Sequence, residues 1–400
     1  MAKEPLRGRA AGRVTGRSDV RTIGGEEVSA FVPAPLPPRA PSLEIDAKRA
    51  ALLARAERGL ARLEVAGEMV PSLDWFIYAF VRKEAVISSQ IEGTQATLVD
   101  LLEYEAEAQN RKPDEDVREV CNYLDALKYT RGQLKSPKGL PLSMRLLHEA
   151  HRRLLRGVRG ANKQPGEVRH SQNWIGGTRP GNAAFVPPPP EEVLGLLGDL
   201  EKYLHAADTL PPLVRIGLAH VQFETIHPYL DGNGRIGRLL IALLLEHWKL
   251  LSAPLLYLSL YFKRHRAEYY RLLSQVRENG DWEAWTDFFL EGVGTIADEA
   301  VATARDVFTL VSTDRERVLA ASGASVIAAR LLEQLPVHPV ITITGIVRLL
   351  ETTKPTAGKA VQLLERIGVL VETSGKQRDR TFAYKSYLDR LRAGTELEER

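Results

Sequence analysis

The chain of 400 residues contains one cysteine, Cys121, so no internal disulfide can form and a crosslinked secreted scaffold is excluded. A reducing, cytoplasmic setting is the expectation. No apolar run is long enough to cross a bilayer: the longest begins at Leu239 and is broken by Glu246, His247, Lys249 and Pro254, short of the roughly 18 residues a span needs. No membrane partner is expected. The first two dozen residues lack the apolar block of a signal peptide, and there is no internal repeat or sustained heptad. Charge of one sign is also scarce, with 54 Lys and Arg against 51 Asp and Glu for a net of +3. Residues 1–21 alone hold six basic and two acidic side chains, which leaves 22–400 slightly negative and makes the overall charge uninformative about nucleic acid. What remains is a water-compatible composition, 44% hydrophobic and 26% charged with mean hydropathy −0.19, long enough for two or three domains.

The order of these segments is legible in outline. Arg7, Arg9, Arg13, Arg17 and Arg21 among Gly, Ala and Ser read as a disordered basic tail over 1–24. After the proline-rich Pro33 to Pro41, helical composition runs from Ile45 to Leu63 and again from Leu73 through Ile91, with Gly93 placed to end the second helix. A helical region over 25–110 is expected. Further helical patterns occupy 115–160, broken by Ser136-Pro137-Lys138-Gly139. The stretch 160–190, rich in Gly, Asn and Pro, reads as a hairpin around Pro180-Gly181-Asn182. From 191 to 311 helical stripes return, Leu213/Ile216/His220/Phe223 and Ile236/Leu239/Leu240/Leu243/Leu244 among them. The expected domains are 111–311 as the catalytic body, 312–335 as a linker helix and 336–400 as a separate module.

Chemistry concentrates in His227-Pro228-Tyr229-Leu230-Asp231-Gly232-Asn233-Gly234-Arg235-Ile236-Gly237-Arg238. Gly232 and Gly234 let the loop turn its amides inward, leading into the unbonded N–H groups of the next helix. Arg235 and Arg238 share one face of its opening turns, where cations are disfavoured by roughly 0.3–1 kcal/mol each unless an anion binds. Asp231 fits such a cradle if Mg²⁺ bridges it to phosphate. His227 has the ordinary pKa of a base near neutrality. No P-loop pattern occurs, and His148-Glu-Ala-His151, lacking a further ligand, is assigned no zinc.

This run resembles the signature of the Fic family, H-P-F-x-D/E-G-N-G-R-x-x-R, with Tyr229 in place of the commoner phenylalanine. The resemblance implies a mainly α fold: a Fic-type helical core with a β-hairpin flap. It also implies AMP transfer from ATP to a Ser, Thr or Tyr hydroxyl of a protein, this chain included, with release of pyrophosphate. His227 would be the base, and Asp231 would hold Mg²⁺. Gly232, Asn233, Gly234, Arg235, Gly237 and Arg238 would contact the nucleotide, Arg238 at the γ-phosphate. The segment Pro165 to Thr178, ending in Ile175-Gly176-Gly177-Thr178, resembles the flap that covers the nucleotide and docks the target backbone. Arg266 to Tyr270 resembles the adenine slot, with Tyr269 and Tyr270 lining it. Ser88-Ser89-Gln90-Ile91-Glu92-Gly93 resembles the inhibitory motif [S/T]-x-x-x-E-[G/N], in which Glu92 would pair with Arg238 and exclude the γ-phosphate. Ser88 and Glu92 are expected on one helical face.

Residues 340–387 carry eight basic and four acidic side chains. Helices over Thr344–Leu350 and Pro355–Ile367, then strands at Val369–Val371 and Thr381–Tyr384, resemble a winged helix-turn-helix. Thr356, Lys359 and Gln362 are its candidate groove contacts, and Lys376, Arg378 and Arg380 are on the wing. Such a module serves DNA binding, protein docking or formation of a homodimer. Two other readings stay open: a nucleotide-sensing transcriptional regulator, and an enzyme that removes AMP.

Overall fold

The computed structural model describes residues 5–7, 12–68, 72–107, 112–376 and 379–397. The chain opens with β1 (Pro5–Arg7), β2 (Val14–Ile23) and β3 (Glu26–Pro33), an antiparallel sheet in that order. Helices α1 (Ala47–Glu68), α2 (Leu73–Ile91), α3 (Leu98–Glu107), α4 (Glu115–Lys135) and α5 (Met144–Leu154) follow. After an irregular stretch with a 3₁₀ turn at Pro180–Asn182 come α6 (Pro190–His205), α7 (Pro212–Ile226), α8 (Asn233–His247), α9 (Ser259–Arg264), α10 (Arg266–Asn279) and α11 (Trp282–Ala320). The last elements are α12 (Val326–Gln334), β4 (Val340–Thr342), α13 (Ile343–Leu350), α14 (Lys354–Arg366), β5 (Val371–Glu372), β6 (Thr381–Ala383) and α15 (Lys385–Leu391). The mainly helical class expected from the sequence holds. Among the described residues no helix is long and apolar enough to cross a membrane.

The chain divides into two compact units. One comprises 1–61, 122–254 and 261–296, and the other 62–121, 255–260 and 297–400. The first is built on α7, whose residues from Leu213 to Ile226 are all buried and which packs against α6 and α8. A helix buried on every face needs partners for its polar residues. Accordingly Arg215 donates to the carbonyl oxygens of Tyr203 and Ala206, and Gln222 to that of Ala34. Proline at its first turn pre-sets the backbone, and α8, buried from Arg235 to Leu245, completes the layer.

The expectation of a disordered tail over 1–24 is overturned from Val14 on, where β2 begins. β2 pairs with the whole of β3, from Gly16↔Pro33 to Ile23↔Glu26, across a Gly24-Gly25 turn whose φ angles are +60° and +84°. Two successive left-handed residues are the geometry that matches strand twist in a tight hairpin, and glycine reaches it without strain. Three of the tail's arginines are ion-paired: Arg17 meets Glu192, Arg21 meets Glu191 and Asp19, and the buried Arg13 meets Glu283. Residues 1–4 and 8–11, with Arg9, lie outside the described residues.

In the second unit α2 spans Leu73–Ile91 as the sequence predicts, capped by Ser72. The predicted linker helix over 312–335 is not one element. α11 runs on to Ala320, and α12 packs against α13 and α14 as part of the C-terminal module. That module has the order helix, strand, helix, helix, strand, strand, with its strands arranged β4-β6-β5. Thr342 and Thr353 cap its two central helices by accepting from Gly345 and Thr356 amides.

Candidate active site

α7 ends at His227, whose backbone takes the left-handed conformation (φ 49°, ψ 61°) and so turns the chain out of the helix. The loop from there to α8 is bonded from three directions. Asn233 accepts the Tyr229 N–H at 2.9 Å and donates to the Tyr229 carbonyl at 2.8 Å, closing the loop on itself. Arg169, 1% exposed, donates from Nε to the His227 carbonyl at 2.9 Å and from its terminal nitrogens to those of Ile226, Ser171 and Pro188. Its own backbone N–H donates to Pro228. Burial pushes the guanidinium down to about 10, which leaves it charged at neutral pH. His151 accepts the Gly166 N–H at Nδ1 (2.8 Å), so Nε2 carries the hydrogen and donates to the Asp231 carbonyl at 2.9 Å. Its ring stacks on Tyr229 at 3.8 Å with an interplanar angle of 8°, and burial pushes it down to about 4, neutral in the folded protein.

These contacts assign His148 and His151 to holding the loop. The hydroxyl of Tyr229 is 2.9 Å from His148 Nδ1, so the departure from phenylalanine adds a hydrogen bond rather than only filling space. Arg169 and His151 were missed as loop-holding residues by sequence reasoning, although both lie in segments that it singled out.

The loop delivers its chemical groups to the start of α8. Gly232 forms the N-cap with φ +78°, and no side chain caps the helix, so the first-turn amides face outward. The half-exposed Asp231 carboxylate accepts the Gly232 N–H at 2.6 Å and lies 3.6 Å from the buried Arg235 guanidinium. Arg238 is 3% exposed one turn on. Gly237 lies close to Glu224: a Cβ there would stand 2.3 Å from Oε1, so that side chain would have to shift. His227 is half-buried, with Nδ1 3.3 Å from the Glu224 carbonyl. Since a carbonyl only accepts, Nδ1 carries the hydrogen and Nε2 is the basic nitrogen.

The region 174–185 is a hairpin in minimal form. Ile175 and Phe185 exchange backbone hydrogen bonds at 2.8 and 3.1 Å as one isolated antiparallel bridge. At its tip Asn182 Oδ1 accepts the N–H groups of Thr178 and Arg179, both at 3.0 Å. Gly176, Gly177 and Thr178 are exposed, and Ile175 is half-buried. The two tyrosines of α10 separate. Tyr269 is a core residue, 1% exposed, whose hydroxyl is 2.9 Å from His220 Nε2, while Tyr270 is 43% exposed. Of the pair, Tyr270 presents the accessible ring; Tyr269 is withdrawn because its hydroxyl closes a chain through His220 to the Gly237 carbonyl.

In the other unit, Ser88 is buried within α2, but Glu92 is the residue capping the helix (φ −88°, ψ 4°), just past its last turn. Glu92 thus stands four residues after Ser88, at the end of the same helix. Gly93 follows at φ +98°, and Gln90 donates to the carbonyl oxygens of Ala96 and Thr395.

Residues 50–131 match the pattern described as Fic/DOC family N-terminal, and residues 141–245 match that described as Fic/DOC family. The chain carries Fic/DOC family domains. Relatives named protein adenylyltransferase Fic include that of Drosophila sechellia, 30% identical over 206 residues, and that of Drosophila willistoni, 30% identical over 252 residues. The matches cover 50% and 62% of this chain but only 38% and 45% of those proteins. The solved structure of a Fic family protein from Desulfovibrio desulfuricans shares the fold, with TM-score 0.54 at 22% identity over 85% of this chain and 97% of that one. The Fic match takes in α5 through most of α8, and with them the whole loop from His227 to Arg238.

Proposed function

We propose that the chain is a protein adenylyltransferase that moves AMP from ATP to a Ser, Thr or Tyr hydroxyl of a protein, including itself. The observation that carries this is the single loop from His227 to Arg238, where a basic imidazole, a carboxylate, outward amides and two buried guanidinium groups converge on one helix start. The acceptor oxygen attacks the α-phosphorus, its proton passes to His227 Nε2, and the bond to the β-phosphate breaks to release pyrophosphate. Arg235, Arg238 and the amides of Asn233 and Gly234 hold the phosphates in line and balance the charge gathering on the leaving group. Asp231 suits Mg²⁺, which is typically held by one or two carboxylates together with phosphate oxygens and water. That ion would supply further charge neutralisation at the phosphates. Ile175 to Thr178 cover the nucleotide and dock the target strand, and Tyr270 stacks on the adenine while Tyr269 supports it from the core.

Glu92 acts as a brake by competing with the γ-phosphate for Arg238, with Ser88 and Gly93 shaping the helix end that presents it. Mass spectrometry of the Glu92→Gly protein incubated with ATP, Mg²⁺ and lysate tests both parts. A +AMP adduct exceeding that of the native chain is expected; no adduct from either protein would overturn the activity, and equal adducts would overturn the brake.

The C-terminal module acts as a winged helix that binds DNA. The exposed face of α14 with Thr356, Lys359 and Gln362, opposite the buried Ala357, Ala360 and Val361, supports this. On the wing Lys376 pairs with Glu107 at 3.3 Å, and the exposed Arg380 guanidinium lies 5.1 Å from the Phe382 ring; Arg378 lies outside the described residues. A shift of duplex DNA that weakens with salt is expected, and no shift at low salt would favour docking to a protein or to a second copy.

A further inference from the structure

We propose that the N-terminal hairpin β2–β3 is the positioning element of the flap, with Glu26 setting the flap's tip. The inference rests on reading 165–178 as a flap over the nucleotide. Three independent contacts carry it. At the tip, Glu26 Oε2 accepts the Gly181 N–H at 2.9 Å while Oε1 pairs with the Arg179 guanidinium. Along the returning limb, the Phe31 N–H donates to the Val186 carbonyl at 2.9 Å, and Val28, Ala30 and Val186 form a buried cluster joined by Ile23 and Ala183. Between these, the Phe185 ring lies 6.3 Å from that of Phe31 and 3.9 Å from the Arg277 guanidinium.

The hairpin can serve as a reference because its base is fixed to the catalytic frame. Arg13 donates to the Gly280 carbonyl at 2.7 Å, to both Glu283 oxygens at 2.8 Å, and to the carbonyl oxygens of Pro41 and Ser42. The Ala34 N–H donates to Thr15, and the Ala34 carbonyl accepts from Gln222, which lies on α7 shortly before His227. A continuous set of contacts therefore runs from the helix that ends at His227, through β3, to the flap tip. The flap itself has one bridge, and an isolated two-stranded hairpin is marginal in water, so its height over the site is set by what it leans on. Glu26 touches neither the nucleotide nor the target by this account; it acts through Arg179 and Gly181, a positioning residue.

The test uses the full chain in the Glu92→Gly background. Glu26→Arg sets two cations against each other at an exposed site, where the pair adds little to global stability, so the melting temperature should not move. Amide exchange over 174–185 should quicken about tenfold while 227–238 stays protected, and AMP incorporation should fall. The charge exchange Glu26→Arg with Arg179→Glu restores the ion pair but leaves the Gly181 N–H without its acceptor, so both readouts should recover in part. Unchanged flap exchange in Glu26→Arg, or no recovery on charge exchange, would overturn the proposal. If Glu92→Gly itself incorporates no AMP, the adenylyltransferase reading fails, and the exchange measurement still decides whether the hairpin positions this segment.

Discussion

The loop from His227 to Asn233 and the segment from Ile175 to Phe185 are both short irregular stretches of one unit, yet they are secured in opposite ways. The loop is held by buried side chains, Arg169, His151 and Asn233, each bonded to its backbone. The flap closes on one backbone bridge and rests on a neighbouring hairpin through partly exposed groups. Hydrogen bonds in a low-dielectric interior are stronger and costlier to break, so the loop is a fixed platform, whereas water competes for the flap's bonds and leaves it adjustable. Under the proposed function, a site that holds phosphates in line and admits a protein strand would need both.

That contrast can be broken or sharpened by substitution. The largest effect is expected from His227→Ala, which should lower AMP transfer about 10²–10⁴-fold while nucleotide binding persists; transfer at the native rate would exclude His227 as the base. Next is Arg169→Met, which leaves several buried carbonyl oxygens without their donor and should cost about 3 kcal/mol in denaturant unfolding, with Arg169→Lys intermediate. A comparable size is expected from acid. His151 has its folded value at about 4, below the ordinary 6.5, so the unfolded chain binds the proton more readily. Stability from this group is therefore complete above about 6.5 and is lost as pH falls toward 4, by about 2–3 kcal/mol. His151→Gln should flatten that part of the stability profile, and a profile no different from native would assign the acid sensitivity elsewhere. Tyr229→Phe, which deletes only the bond to His148, should cost about 1 kcal/mol. On the flap, Asn182→Ala should cost less still in global stability, about 0.5 kcal/mol, because water can replace what it bonds. If it destabilised the chain as much as Arg169→Met, the distinction between fixed loop and adjustable flap would collapse.

Much of this was legible in residue order. The span of α2, the turn at Pro180-Gly181-Asn182 and the two central helices of the C-terminal module follow from caps, apolar spacing and turn residues. The hairpin at 14–33 was equally legible: Gly24-Gly25 sits between residues that alternate polar and apolar, including Val28, Ala30 and Val32. The scatter of arginines masked it, because a basic composition says nothing about whether acids elsewhere in the chain await those side chains. β4 was missed for a related reason, since a three-residue strand has no period of its own and exists through pairing with β6. Tyr269 and Tyr270, adjacent and chemically identical, received one role from the sequence. Packing against His220, Phe262 and Trp285 gives the first of them to the core.

By itself the sequence determined the helical class and the loop that gathers imidazole, carboxylate, amides and guanidinium groups, because those depend on neighbours within a few residues. Only the tertiary structure decided that Arg169 and His151 hold that loop, that Tyr229 uses its hydroxyl, and that an N-terminal hairpin bonds to Gly181 and Val186. Each of those depends on a buried polar group finding its partner across a long stretch of chain, and the partner is fixed by packing rather than by any local pattern.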